Sequence, residues 1–421
     1  MLISRFELSV ARRQLLHNRG QTLLTLGVVA TSVTLIVFLA TLIGGLQRRI
    51  IGDTTSMIPH VVVSAPERLP LAPWELPSAT APAAPLFVGR VVKLEQRLRK
   101  IEDWPAVVAR LRELMPGGVA ARVAVAEGQG VVSRESNRKP VTLVGAVPAE
   151  FTRVVDLQSN LAAGRYLGLN GGEAVIGYKL AADLNLRLGD RVRVLSSEAV
   201  SADFLVAGIV DTGIAVIDRS SLFLNLKDAQ SLLNLGSAVT RIGLRLDDVF
   251  DASRQRERLE QYLPYEINDW MRDNQRVLSG IRAQNDSSRM IIVFTVLASG
   301  LAVASIMVMS VTRKIQEIGI LKAIGAKSRQ ILVIFALQGL AVCAAGAALG
   351  CAVGWVLCDA LGRIEVVVSA TGRTAQLFPV ANEPFYYGLA AGLAVVSGVL
   401  ASLYPAWSAS RVDPIHVIRG Q

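Results

Sequence analysis

The stretch Ile331-Leu-Val-Ile-Phe-Ala-Leu-Gln-Gly-Leu-Ala-Val-Cys-Ala-Ala-Gly-Ala-Ala-Leu-Gly-Cys-Ala-Val-Gly-Trp-Val-Leu-Cys358 carries no charged side chain. A helix needs about 20 apolar residues to cross the hydrocarbon core of a bilayer, so this run is long enough to span one. Three more runs share the property: Thr22 to Leu46, Met290 to Thr312 and Phe385 to Trp407. Arg5, Arg12, Arg13 and Arg19 precede the first of them, as in a signal peptide. Its apolar length exceeds that of a cleavable leader, so it reads as a retained membrane helix.

Composition agrees. Of 421 residues, 52% are hydrophobic and 19% charged, against roughly 25% charged in soluble proteins. The formal charge of +10 would suggest nucleic acid if it were spread over a soluble surface, but its location says otherwise. The segments before the first span, between the second and third, and after the fourth hold 11 Lys and Arg against three acids. By the positive-inside rule these three segments are cytoplasmic. The loop from Asp359 to Pro384 has two basic and three acidic residues and falls outside.

The expected architecture is an α-helical membrane protein with four transmembrane helices and a large α+β domain inserted between the first two. The expected order is a cytoplasmic segment 1–21, a span 22–46, an outer domain 47–289 with a stalk helix at each end, and a span 290–312. A cytoplasmic segment 313–330, a span 331–358, an outer loop 359–384, a span 385–407 and a cytoplasmic tail 408–421 complete it. Within the outer domain, Val61–Val63, Pro140–Val147, Arg191–Leu195 and Phe204–Val210 read as strands bounded by turn residues. Trp104–Met115, with Asp103 as cap and Pro105 in the first turn, reads as a helix, as do Asp228–Leu235 and Ala252–Leu263. Leu86–Ile101 reads as an edge strand. The proline-dense stretch Pro66–Pro85 reads as an extended loop, because Pro continues neither a helix nor a ladder.

Enzyme motifs find no foothold. Gly319 to Ser328 imitates a phosphate-binding loop but has five residues between its glycines and Ala326 before Lys327, where four residues and Gly-Lys-Ser/Thr are required. His17, His60 and His416 lie far apart, and Cys343, Cys351 and Cys358 sit within one span, so neither a metal site nor a disulfide framework is expected. The spans hold no charge that would mark an ion route. The third span is instead rich in small residues, among them Gly346, Gly350 and Gly354 at GxxxG spacing. These allow close helix packing, within the chain or in a dimer.

In the loop after the second span, Ile315, Ile318, Leu321 and Ile324 recur every three residues, which predicts an apolar stripe on a short helix. Here the chain resembles a known family. Glu317-Ile-Gly-Ile-Leu-Lys-Ala-Ile-Gly-Ala326 is similar to the coupling-helix signature of FtsX-like ABC transporter permeases, the family of MacB, LolC and LolE. The C-terminal Tyr404-Pro-Ala-Trp-Ser-Ala-Ser-Arg-Val-Asp-Pro-Ile-His-Val-Ile-Arg419 resembles its closing motif, carried by Pro405, Ala406, Pro414 and Arg419. Glu173 to Asp190, with Gly177, Leu180, Ala181, Leu184, Gly189 and Asp190, resembles the periplasmic core of the LolC/LolE subgroup. Pro66–Pro85 has no counterpart in that subgroup.

The resemblance implies a non-enzymatic permease of the bacterial inner membrane, with both termini cytoplasmic and the large domain periplasmic. It implies partners: a dimer of separate ATPase subunits, which bind ATP and Mg while the permease binds no cofactor, and a second permease copy or paralogue. A periplasmic chaperone or membrane-fusion adaptor and membrane lipid are implied as well, and no nucleic acid. Glu317, Gly319, Lys322, Ala323, Gly325 and Ala326 are expected to carry the ATPase coupling. The implied activity is ATP-driven extraction or export of a lipoprotein or lipid-like substrate at the outer face. The alternatives are a signalling module that activates a periplasmic partner without transport, and MacB-like efflux with an adaptor.

Overall fold

The computed structural model describes residues 5–17, 19–66, 99–135, 137–367, 372 and 374–411. The chain divides into two compact units, residues 51–276 with 367–373, and the remainder. The expectations for Pro66–Pro85 and Leu86–Ile101, and those for Pro414 and Arg419, fall wholly or mostly outside the described residues.

Among the described residues, four long helices are apolar enough to cross a membrane: Arg19–Ser56, Gln275–Arg313, Ser328–Gly362 and Pro384–Ser410. The chain is thus a membrane protein. In the unit that holds most of their length, the glycines of the third helix form a contact surface for the first. A Cβ added at Gly346 would lie 2.8 Å from Val29 Cβ, one at Gly350 2.7 Å from Val33 Cβ, and one at Gly354 3.0 Å from Val37 Cγ1. Thr34 Oγ1 donates to the Gly350 carbonyl at 3.0 Å. The GxxxG face therefore packs inside the chain, because removing each side chain lets the two backbones approach. Val29, Val33, Val37, Phe335, Cys343 and Ala394 belong to the core that results. The second long helix leaves Met290, Phe294, Leu297 and Leu301 exposed.

Among the described residues, the other unit is built on a ten-stranded mixed sheet. Its strands are β1 (Val61–Ser64), β2 (Val119–Arg134), β3 (Asn137–Ala146), β4 (Leu161–Gly164), β5 (Glu173–Gly177), β6 (Arg191–Ser196), β7 (Ser201–Val210), β8 (Ser221–Asn225), β9 (Arg241–Leu246) and β10 (Glu266–Asp269). Their order is β10-β1-β9-β2-β3-β8-β5-β7-β4, and β6 pairs with both β2 and β7. The pairings β2-β3-β8-β5-β7-β6-β2 therefore close on themselves. Gly128 and Gly130 let neighbours approach β2 closely: a Cβ at Gly128 would sit 2.4 Å from Leu233 Cδ2, and one at Gly130 2.9 Å from the carbonyl oxygen of Leu195 in β6. Pairs β3–β8 and β5–β7 are parallel. The core on one face centres on Phe151, Tyr166 and Phe223, whose ring centroids are 6.1 to 6.4 Å apart.

The helix read at Trp104–Met115 is Trp104–Leu114, with the Asp103 side chain accepting from Ala106 N. The others shift. Asp228–Leu235 is observed as Leu226–Leu232, before Asn234 in the left-handed region (φ 52°). Ala252–Leu263 ends at Glu260, because Leu263 precedes Pro264 and is steered away from helical geometry.

Candidate functional site

A short helix, Ile315–Ala323, follows the second long helix after a break at Lys314. The turn after it uses Gly325 at φ 108°, a conformation costly for any residue with a Cβ. The Ala326 and Gly325 amides donate to the Leu321 and Lys322 carbonyls at 3.0 Å. Lys327 N donates to Gln330 Oε1 at 2.9 Å, which caps the third long helix.

The expected apolar stripe is corrected in one respect. Ile318 is buried and Ile315 and Leu321 are half-buried, but Ile324 lies beyond the helix end and is 81% exposed. Steps of three residues fall short of the 3.6-residue turn, so the row winds around the axis instead of staying on one face.

The six residues named for coupling separate into two groups. Gly319 is buried, Ala326 packs against the core, and Lys322 Nζ donates to the Ser410 carbonyl at 2.7 Å. That contact ties the short helix to the C-terminal end of the fourth long helix, where carbonyls lack intrahelical partners. Glu317, Ala323 and Gly325 are exposed. So are Ile324, expected in the apolar stripe, and Ile320, which neither the stripe nor the six coupling residues include. Pro405 and Ala406 are buried within the fourth long helix.

The N-terminal helix Arg5–His17 completes the site. Val10, Gln14 and His17, at i, i+4 and i+7, line a cleft of about 450 Å³ with Lys314, Glu317 and Ile320. In the sequence this segment signals topology through its arginines, and since Gln14 and His17 are polar it shows no apolar face that would mark the cleft. Lys314 is 6% exposed. Desolvation pulls its ammonium below the ordinary lysine range, and Glu317 opposes that shift. The cleft thus has the apolar side chains of Val10, Ile320 and Leu321, the exposed charges of Glu317 and Arg13, and the poorly solvated Lys314.

The Glu173–Asp190 motif serves the fold. Gly177 is needed because a Cβ there would lie 2.2 Å from the Asp218 carbonyl oxygen. Leu180, Ala181 and Leu184 are buried. Gly189, at φ 87°, donates its amide to the Val206 carbonyl at 2.9 Å. Asp190 accepts from the Arg187 amide at 2.9 Å and pairs with Arg134 at 3.1 Å.

Comparison with known proteins finds two family models, the first of which takes in residues 22–50 of the first long helix as well as most of the α+β unit. A family model described as MacB-like periplasmic core domain matches residues 22–262, and one described as FtsX-like permease C-terminal matches residues 289–414. The lipoprotein-releasing system transmembrane protein LolC of Xylella fastidiosa is 26% identical over 417 residues, covering 93% of this chain and 92% of that protein. LolC of Neisseria meningitidis is 23% identical, covering 94% of each. The crystal structure of the periplasmic region of MacB from Actinobacillus actinomycetemcomitans aligns with a TM-score of 0.33 at 15% identity, over 53% of this chain and 94% of that one.

Proposed function

From the premise that the chain belongs to the ABC transporter permeases with a MacB-like periplasmic core domain and an FtsX-like C-terminal region, we propose that it couples ATP hydrolysis by a separate ATPase subunit to extraction or export at the outer face. The observation that carries this reading is the short helix Ile315–Ala323. Its inner face is held by Ile318, Gly319 and the Lys322–Ser410 contact, while Glu317 and Ile320 line an open cleft and Ile324 is exposed just past the helix end. A helix anchored on one side and exposing apolar groups around one carboxylate suits a protein partner. The apolar groups supply buried area, and the carboxylate supplies orientation.

In this reading the ATPase dimer docks on that helix, both termini are cytoplasmic, and the chain lies in a bacterial inner membrane beside a second permease copy or paralogue. The α+β domain is then periplasmic and hands its cargo to a chaperone or adaptor. A lipoprotein or lipid-like cargo is favoured by the LolC relatives, whose names describe lipoprotein release. The motion is transmitted by the first two long helices, which frame a groove of about 240 Å³ between Ile43–Ile50 and Val277–Asn285.

The test is crosslinking between cysteines introduced at Gln47 and Arg282, in the permease bound to its ATPase. The yield is expected to change when ATP binds and to return on hydrolysis. A yield independent of nucleotide, in a complex that hydrolyses ATP, refutes the mechanism.

A further inference from the structure

The cleft beside the short helix has cations that the coupling reading does not use. One wall is the N-terminal helix Arg5–His17, tied to the third long helix by a hydrogen bond from the Gln338 amide to the Gln14 side-chain oxygen. The other is the short helix Ile315–Ala323, held by the Lys322–Ser410 contact. The gap between these anchored walls, about 450 Å³, lies within the range of roughly 300–1,000 Å³ typical of small-molecule sites. Arg13, His17, Lys314 and Glu317 line it.

Lys314 is 6% exposed, yet its ammonium makes no hydrogen bond or ion pair among the described residues. Glu317 acts on it through space, but that carboxylate is exposed and is not in ion-pair contact with it. On the bundle side Lys314 borders a small cavity with Gln14, Gln21, Ser310 and Gln338, where no acid faces it. A buried ammonium without a partner is costly, because water no longer solvates it. Arg13, exposed on the other wall, also makes no ion pair among the described residues. The cleft therefore presents two unpaired permanent cations against one carboxylate.

Position along the chain identifies what supplies the anion. The uncharged run of the second span ends at Thr312, two residues before Lys314, and that of the first begins at Thr22, five residues after His17. Both walls thus sit at span ends, the level of lipid headgroups. We propose that the cleft binds an anionic phospholipid of the adjoining leaflet, its phosphate paired with Arg13 and Lys314 and its glycerol backbone against Val10, Ile320 and Leu321. A planar guanidinium receives phosphate oxygens in a fork, and the ammonium adds a point charge. A zwitterionic lipid is disfavoured, because its own ammonium adds a further cation to a cleft that is already net positive. The proposal rests on the chain spanning a bilayer and not on ATPase coupling.

The test uses the full chain, without an ATPase, in phosphatidylcholine nanodiscs. These carry a trace of phosphatidylglycerol or phosphatidylcholine with a photoreactive diazirine at the start of one acyl chain, and labelled peptides are mapped by mass spectrometry. Phosphatidylglycerol is expected to label residues 10–17 and 314–321 several-fold more than phosphatidylcholine does. Unlabelled phosphatidylglycerol should displace it and glycerol phosphate should not. Arg13→Gln with Lys314→Gln should lower the labelling by roughly tenfold or more. Arg329→Gln, an exposed cation outside the cleft lining, should leave it unchanged. Thermal melting checks folding, and Arg13→Gln alone, at an exposed position, keeps the test decisive if the Lys314 variant unfolds. Equal labelling by the two lipids, or labelling unchanged by Arg13→Gln, overturns the proposal. So does an equal loss in Arg329→Gln, which would assign the effect to general surface charge, and so does displacement by glycerol phosphate, which would assign the cleft to a soluble phosphate.

Discussion

Replacing Gly350 by Ala adds one methyl group where the first and third long helices touch. Its carbon would lie 2.6 Å from the Ala30 carbonyl oxygen, 2.7 Å from Val33 Cβ and 3.1 Å from Ala30 Cα. Carbon contacts relax at about 3.5–4.0 Å, so the overlap is close to 1 Å. Two of the three atoms are main chain, held by the helix ladder, and no rotamer change removes them. The helices must part, which loosens the neighbouring contacts of Val29 on Gly346 and Val37 on Gly354. It also stretches the Thr34–Gly350 hydrogen bond of 3.0 Å. Overpacking of this kind costs about 1–3 kcal/mol, and an interhelical hydrogen bond in a membrane protein contributes about 0.6 kcal/mol more. Gly392→Ala is the matched control, since nothing lies within 4 Å of a Cβ at that position. Melting of the purified chain, followed with a thiol-reactive dye, reads the bundle directly because Cys343 and Cys358 are buried. Gly350→Ala should melt several degrees lower and Gly392→Ala at or above the parent. Equal melting of Gly350→Ala and the parent would refute the packing argument. Loss of a dimer with melting unchanged would assign the glycine face to association instead.

Glu317→Lys reverses the exposed charge beside the cleft and should lower permease-stimulated ATPase activity by roughly tenfold or more while insertion is unaffected; unchanged stimulation removes Glu317 from the docking face. Lys322→Met deletes the donor to the Ser410 carbonyl and should cost about 1.5–3 kcal/mol as a lost charged hydrogen bond, read in the same melting assay. His60 is 1% exposed, its Nδ1 accepts from the Leu246 amide at 3.1 Å, and desolvation lowers its pKa below the ordinary 6.5. The folded state therefore disfavours the imidazolium. The His60 contribution is fully present above pH 6.5 and is lost as pH falls from there toward the depressed folded value. His60→Gln should flatten the stability of the α+β unit over that window, and an unchanged pH slope in denaturant titrations would exclude this role.

How much of the fold was legible depended on whether each element had one wet face. The alternating pattern of Arg191–Ser196, exposed and buried by turns, makes β6 readable, and Phe204–Val210 lies within β7 for the same reason. Pro140–Val147 reads instead as a strand from its apolar run and overlaps β3 as far as Ala146, its alternation lost where the last four residues of β3 are all buried. Strands β5 and β8 have nearly every residue buried and so show no alternation. Strand β2 escaped notice because three different partners cover it along its length and two glycines interrupt its pattern. At the candidate site, the motif marked the right segment without separating its faces. Only the fold shows that Lys322 looks inward to Ser410 and that Ile320 and Ile324 look outward.

The long uncharged runs were decisive by themselves, since the thickness of a bilayer and the cost of burying charge set a length that composition either meets or does not. The location of most of the +10 charge on three short segments was legible in the same way. Tertiary structure decided what depends on pairs distant in the chain. It chose intramolecular packing for the GxxxG glycines, by placing Ala30 and Val33 against Gly350. It closed the β2-to-β6 ring, and it brought residues as far apart as Arg13 and Lys314 to the lining of one cleft. A local pattern records which face of an element is apolar, but the identity of the partner that covers that face is a property of the folded chain alone.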